Sequence, residues 1–251
     1  MTEGALLAGR GVRKSFGHVE ALRGVDFDVP AGSITGLVGD NGAGKSTLIG
    51  VLSGVLQPDS GAILLEGEPV TLPDPHAARM HGIETVYQDL ALAPELEPAM
   101  NIYLGREIVR RGVLGRLSFI DRRRMRDETA ERLAQLGIEL PRLDRPVSYL
   151  SGGQRQAVAI ARALIWARRV LLLDEPTAAL GVRQSRQVHD VIRRVRDQGV
   201  TVVLISHNIA DVMALTDRII AMRLGRVEAT FDTARTSGDE VVAALTGARA
   251  A

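Results

Sequence analysis

The sequence predicts an α/β fold: a largely parallel sheet, an N-terminal antiparallel β region and a helical insertion. Three observations predict it. Apolar runs without alternation, such as "RVLLLD" and "VTVVLIS", suit strands covered on both faces, which is the condition of parallel sheets. Segments with apolar residues at helical spacing follow those runs. Between residues 89 and 150 the alternation gives way to an arginine-rich helical pattern with two early prolines.

The elements follow in order. "LLAGRGVRKSF", "VEALRGVDFDV", "SITGLVG" and "GAILLEG" read as strands, with Pro30-Ala31-Gly32 and Pro58-Asp59-Ser60-Gly61 as turns. Gly44 to Ser53 fits a helix leaving a glycine-rich turn, and "GIETVYQ" at 82–88 is a further strand. Pro94 and Pro98 then break the chain. Met125, Thr129, Leu133 and Leu136 fall near one helical face, which places a helical insertion at 89–155 within one domain spanning 1–251. After "RVLLLD", Val188, Val191, Ile192 and Val195 repeat at helical spacing and predict a helix over 182–198. "VTVVLIS", a helix at 208–216, and the strands "RIIAMRLG" and "RVEATF" complete the pattern. No internal repeat or low-complexity tract interrupts it.

Composition narrows the function. Of 251 residues 45% are hydrophobic and 24% charged, as in ordinary globular chains. The formal net charge of +1 does not argue for nucleic acid or an anionic membrane as a partner, and docking onto a membrane protein stays open. With no cysteine, disulfides and thiolate metal sites are excluded. No run approaches the roughly 18–20 apolar residues of a membrane span. The opening "MTEGALLAGRGVRKSFG" lacks the pattern of a secretory signal, so a soluble chain on the cytoplasmic side is expected. Among 31 basic side chains only Lys14 and Lys45 are lysines. A tight phosphate loop admits a compact ammonium and not a planar guanidinium, which is a reason for lysine at 45.

Lys45 lies in "GDNGAGKST", residues 39–47, which fits G-x-x-x-x-G-K-[ST] between a strand and a helix. Gly39, Asp40, Asn41, Gly42, Ala43 and Gly44 form the loop. Gly42 and Gly44 let backbone N–H groups turn toward phosphate oxygens, and the helix N-terminus adds partial positive charge. Lys45 reaches the outer phosphates, Ser46 is placed to ligate Mg²⁺ and Thr47 to touch an inner phosphate.

"LLLDEPTAALGV", residues 171–182, ends a strand in two adjacent carboxylates. Such a pair is costly at a buried strand end unless something positive meets it. Asp174 in the same sheet can meet the Mg²⁺ sphere. Glu175 is either a salt-bridge residue or a general base toward water; adjacency alone does not decide.

"LSGGQRQ", residues 150–156, taken alone fits an ordinary helix cap. Together with Phe16, the phosphate loop, Gln88, "LLLDE" and "SHN" with His207, in this order, it resembles the nucleotide-binding domain of ATP-binding cassette (ABC) ATPases over essentially the whole chain. The resemblance implies a P-loop NTPase core and ATP with Mg²⁺ as ligands. It implies Phe16 stacking on adenine, and Gln88 touching the metal and joining core to insertion. It further implies Glu175 as catalytic base and His207 as a switch contacting the γ-phosphate. Ser151, Gly152, Gly153 and Gln154 would face the nucleotide of a second copy packed head to tail. The other histidines, His18, His76, His81 and His189, are left as capping or surface groups, and the run "DRRRMR" at 121–126 as a solvated helix start.

Finer likeness, in "GIETVYQDLALAPELEPAMNIYLGRE" and "DEPTAALGVRQ", is to ATP-binding subunits of bacterial monosaccharide importers of the ribose, xylose and fructose type, the single-cassette fructose type most of all. That implies a homodimer under membrane permease subunits at the inner membrane, fed by an extracytoplasmic sugar-binding protein, with no nucleic acid. Amino-acid importers and soluble members of the family are the competing classes. One departure stands out: most cassettes carry aspartate where this chain has Gly181.

Overall fold

The computed structural model describes residues 4–110, 112, 118–138, 140, 142–178 and 180–247. The chain divides into two compact units: Met1–Gln88, Ala167–Ala178 and Val195–Ala251 form the first, Asp89–Trp166 and Ala179–Arg194 the second. The second unit includes the whole of the helix Gly152–Trp166.

In the first unit the described residues form two sheets. β1 (Ala5–Phe16) and β2 (Val19–Pro30) make an antiparallel hairpin, with Gly17 and His18 between paired Phe16 and Val19. β4 (Ser60–Leu65) pairs with β1, and the short β5 (Glu68–Val70) pairs with β4, in the order β2-β1-β4-β5. The second sheet holds β3 (Ile34–Gly39), β6 (Ile83–Val86), β7 (Val170–Asp174), β8 (Thr201–Ile205), β9 (Arg218–Arg223) and β10 (Arg226–Asp232). Its order is β10-β9-β3-β8-β7-β6, parallel throughout except for the β9–β10 hairpin at one edge.

Both faces of that sheet are covered, which is why its strands read as unbroken apolar runs. On one face Leu37, Val170, Leu172, Val203, Ile205 and Ile220 share a core with Leu48, Ile49 and Leu52 of α1 (Lys45–Leu52). On the other, Val38, Ile219 and Ala221 pack with Val212 of α7 (Ile209–Leu215) and Val241 of α8 (Gly238–Thr246). Each buried Val, Leu or Ile among them contributes about 1.5–3 kcal/mol of transfer free energy. At Gly36 a Cβ would meet Val212 Cγ1 at 2.8 Å, so glycine there sets how closely α7 approaches β3.

The register positions the site. Leu37 pairs with Ile205, Ile205 with Asp174, and Leu173 with Val86. Strands β8 and β7 therefore end level, β6 stops one residue short of them and β3 runs two residues beyond. In open parallel sheets ligands bind outside the carboxyl ends of the strands.

β5 and α2 (Pro75–Met80) have no counterpart in the sequence reading. α2 did carry a start signal: Asp74 accepts a hydrogen bond from Ala77 N–H, with Pro75 at the first helical position.

The second unit contains α3 (Pro98–Ile102), α4 (Arg122–Gln135), α5 (Gly152–Trp166) and most of α6 (Val182–Asp197). Met125, Thr129, Leu133 and Leu136 are buried, as their spacing predicts. Asn101 is fully buried and anchors the preceding loop. Its Oδ1 accepts from Ala93 N–H, and its Nδ2 donates to the carbonyls of Ala93, Leu96 and Glu97. Tyr103 and Trp166 meet edge to face at 5.7 Å, and the Arg106 guanidinium lies over the indole at 4.4 Å.

The arginine run is a helix start, as read. Asp121 caps it by accepting from Arg124 N–H, Arg124 pairs with Glu128, and Arg126 forks onto both Glu97 oxygens at 2.7 Å. His189 corrects the reading that left it at the surface. It lies three residues before Ile192 on α6, shares its buried face, and is itself buried.

Candidate nucleotide site

The phosphate loop grows out of β3. Gly39 ends that strand where a Cβ would stand 2.5 Å from Met222 O and 2.9 Å from Ala43 Cβ. Ala43 N–H donates to Asp40 O at 3.1 Å and closes the first turn. Gly44 has φ 101° as the residue before α1, and a Cβ there would lie 2.6 Å from Ala21 O. Two constraints, a left-handed backbone and a close neighbour, thus demand glycine at 44. Gly42 has φ 83° but open space around it.

Lys45 opens α1 and is buried. Its Nζ donates to Gly39 O at 2.7 Å and to Asp40 O at 3.0 Å, so the ammonium sits inside the loop that its own backbone forms. Burial lowers its pKa, opposed by Glu175, Asp40 and Asp174. Ser46 is exposed and Thr47 partly buried on the next two positions.

Asp174 is the last residue of β7, and Glu175 carries the ladder one step further, its N–H donating to Ile205 O at 3.0 Å. Glu175 then turns into the left-handed region at φ 52°, a conformation that costs a non-glycine residue about 1–3 kcal/mol. The segment beyond it is tied down twice. Ala178 N–H donates to Glu175 O, and Thr177 Oγ1 donates to Asp211 Oδ2 at 3.0 Å.

His207 leaves the adjacent β8. Asn208 caps α7, its Oδ1 accepting from Ala210 N–H and Asp211 N–H, and its own N–H donates to Ser206 Oγ. Held between these anchors, His207 Nδ1 lies 2.5 Å from Glu175 Oε2. The histidine ring is 68% exposed and the carboxylate 16%, so the pair stands at the rim with the acid inward.

Asp174 has its pKa raised, by burial first and by Glu175 second, with Lys45 opposing. A half-buried acid beside a second acid calls for more positive charge than Lys45 provides. Among the described residues no group of three or more His, Cys, Asp or Glu side chains could hold a metal. The donors that the sequence resemblance implies are the Ser46 hydroxyl, the Gln88 amide and the Asp174 carboxylate. They are all hard oxygens and few in number, which fits Mg²⁺ sharing its remaining ligands with phosphate and water.

A cavity of about 500 Å³ is lined by Gly39, Asp40, Asn41, Gln88, Glu175 and His207, with Ser206 and Ala178 beside them. The structure thus brings together the loop, both strand-end motifs and Gln88, which stands exposed two residues past β6. Phe16, at the end of β1, is 49% exposed, and Lys14 Nζ lies 5.8 Å from its ring centroid. In the second unit Ser151 and Gln154 make a reciprocal cap at the start of α5: Ser151 N–H donates to Gln154 Oε1 at 2.9 Å, and Gln154 N–H to Ser151 Oγ at 3.3 Å. Ser151 and Gly152 are exposed, Gly153 and Gln154 partly so. The sequence reading missed Ser206, Thr177 and Asp211, whose supporting bonds follow from no motif.

A phosphate loop set at the carboxyl ends of a parallel sheet, facing an acid pair and a histidine, defines a P-loop nucleotide-binding protein. Residues 22–178 match the model of the ABC transporter family. The chain belongs to that family, as a nucleotide-binding, ATP-hydrolysing cassette. It is 45% identical over 251 residues to the fructose import ATP-binding protein FrcA of Rhizobium meliloti, covering 99% of this chain and 96% of that one. To the xylose/arabinose import ATP-binding protein XylG of Sulfolobus acidocaldarius it is 42% identical, covering 96% and 94%. It is 43% identical to the ribose import ATP-binding protein RbsA 1 of Rubrobacter xylanophilus, covering 96% of this chain and 47% of that longer one. Among solved structures, the ADP conformation of the ABC transporter cassette MJ1267 superposes with a TM-score of 0.81 at 28% identity, covering 96% and 95%. The dimeric structure of the bacterial cassette MJ0796 gives 0.75 at 25% identity, covering 90% and 98%. No helix of the described residues is long and apolar enough to cross a membrane.

Proposed function

We propose that this chain powers a bacterial importer of a monosaccharide, of the fructose or ribose kind, by binding and hydrolysing ATP between two copies of itself. The observation that carries the proposal is the near full-length likeness to a fructose import ATP-binding protein, together with one cavity lined by Gly39, Asp40 and Asn41 of the loop, Gln88, Glu175 and His207.

In this reading the backbone N–H groups of residues 39–44 and the Lys45 ammonium hold the outer phosphates, with Thr47 on an inner one. Phe16 stacks on the adenine. Ser46, Gln88 and Asp174 would hold Mg²⁺, which when bound neutralises charge on the phosphate oxygens. Glu175 takes the proton from water as its oxygen attacks the γ-phosphorus; the bond to the β-phosphate oxygen breaks, and ADP and phosphate leave. His207 holds Glu175 in orientation through Nδ1 and offers its far edge to the γ-phosphate. The Ser151–Gln154 cap of the second copy supplies a helix N-terminus to that same γ-phosphate, a stable seat for an anion. ATP then joins the two copies and its hydrolysis releases them.

The closed and open dimers would work membrane permease subunits fed by an extracytoplasmic sugar-binding protein, with this chain peripheral on the cytoplasmic face. The test reconstitutes the chain with its permease and binding protein and measures ATP hydrolysis against a panel of solutes. Stimulation by a monosaccharide supports the proposal. Stimulation by amino acids alone overturns the substrate class, and recovery only with nucleic acid overturns transport.

A further inference from the structure

Gln184 occupies an unusual place in the second unit. It is the third residue of α6, and Gly181 stands immediately before that helix, where Ser185 N–H donates to its carbonyl at 3.0 Å. The two ends of the Gln184 side chain each lie against a glycine. A Cβ on Gly153 would stand 2.7 Å from Gln184 Cγ and 3.0 Å from its Cβ. A Cβ on Gly181 would stand 2.8 Å from Gln184 Oε1. The first contact is with the stem, which cannot move without turning χ1; the second is with the mobile end. Neither glycine has a positive φ, so backbone conformation does not require them. Their common reason is the room Gln184 takes.

We infer that Gln184 is a positioning residue: its side chain clamps the Ser151–Gly153 segment to the start of α6. The inference rests on the reading that Ser151–Gln154 serves the nucleotide of a second copy. Under it, one side chain joins the residues that open α6 to the cap this copy offers its partner. The stem sets the position of Gly153 and the amide end senses Gly181.

The experiment uses the full chain with Mg-ATP. Gln184→Ala is expected to lower kcat by about threefold or more with KM near the wild-type value, to weaken ATP-driven dimer formation in sizing experiments, and to leave ADP affinity of the monomer unchanged. Gln184→Met keeps the stem and is expected to restore most of kcat. Gly153→Ala should cost much more in the wild type than in the Gln184→Ala background, a non-additivity expected of side chains in contact. Additive effects of the two substitutions, or wild-type kcat in Gln184→Ala, overturn the clamp. Equal loss of ADP affinity in Gln184→Ala also overturns it, since the residue would then act on the fold at large. A wild-type chain that forms no ATP-driven dimer instead overturns the reading beneath.

Discussion

His207 Nδ1 and Glu175 Oε2 lie 2.5 Å apart, joining the residues that follow two neighbouring parallel strands. The contact gives the carboxylate a fixed partner on its solvent side, while Lys45 and Asp174 bear on it from within. An acid oriented from both sides can accept a proton along one direction. Glu175→Gln removes the basicity and keeps the shape. It should bind ATP as tightly as the parent while turnover falls about 10²–10⁴-fold, measured by nucleotide binding alongside phosphate release. His207→Ala should lower turnover more than ATP affinity, since the acid loses its orienting contact and the γ-phosphate one of several partners.

The phosphate loop separates two kinds of glycine. Gly44→Ala meets both Ala21 O and a left-handed backbone, and should cost about 1–3 kcal/mol of stability as well as nucleotide affinity. Gly42→Ala meets no neighbour, so its stability cost should stay near 1 kcal/mol, the strain of its φ alone. Thermal melts with and without nucleotide distinguish the two.

Asn101 satisfies four backbone groups from within the second unit's core. Asn101→Ala should destabilise by about 1–3 kcal/mol, because the Ala93 N–H loses its acceptor, while the Ala93, Leu96 and Glu97 carbonyls keep backbone donors. Denaturant titration reads it directly.

The fork between Arg126 and Glu97 predicts a pH dependence. Hydrogen bonds from Arg126, and then its charge, hold the Glu97 pKa below its ordinary 4.5. For a carboxylate depressed on folding, the stabilisation is present above the unfolded value and is lost as pH falls through the folded one. Glu97→Gln should therefore cost about 1 kcal/mol at neutral pH, the upper end for a pair this exposed. Its gap from the parent should close below pH 4.5; a gap that stays constant in acid contradicts the ion pair.

Much of this architecture was legible because its signals are local. Unbroken apolar strands, a glycine loop between strand and helix, and the spacing of Met125, Thr129 and Leu133 each report a nearby physical demand. What escaped depends on distant neighbours. The Glu175 backbone is a case: a residue before proline is biased toward extended conformations, yet φ is 52°. Only the need to extend the β8 ladder and then reach His207 explains it. β5 was too short to show a period, and His189 looked polar where its helix face is apolar. Gly153 and Gly181 could be seen in the sequence, but the side chain between them could not.

The strand order carries a last consequence, for synthesis. β3 emerges early and holds the phosphate loop at its end, yet both of its neighbours in the sheet, β8 and β9, come from beyond residue 200. β6 must likewise wait through residues 87–169 before it can pair with β7. Such long loop closures slow folding and leave apolar strand edges exposed meanwhile. A ribosome-bound fragment ending before residue 200 therefore carries the phosphate-loop sequence in a central strand without either flanking strand. The growing chain should stay dependent on chaperones until its last quarter is translated, and nucleotide, able to bind only then, becomes a ligand that draws folding to completion.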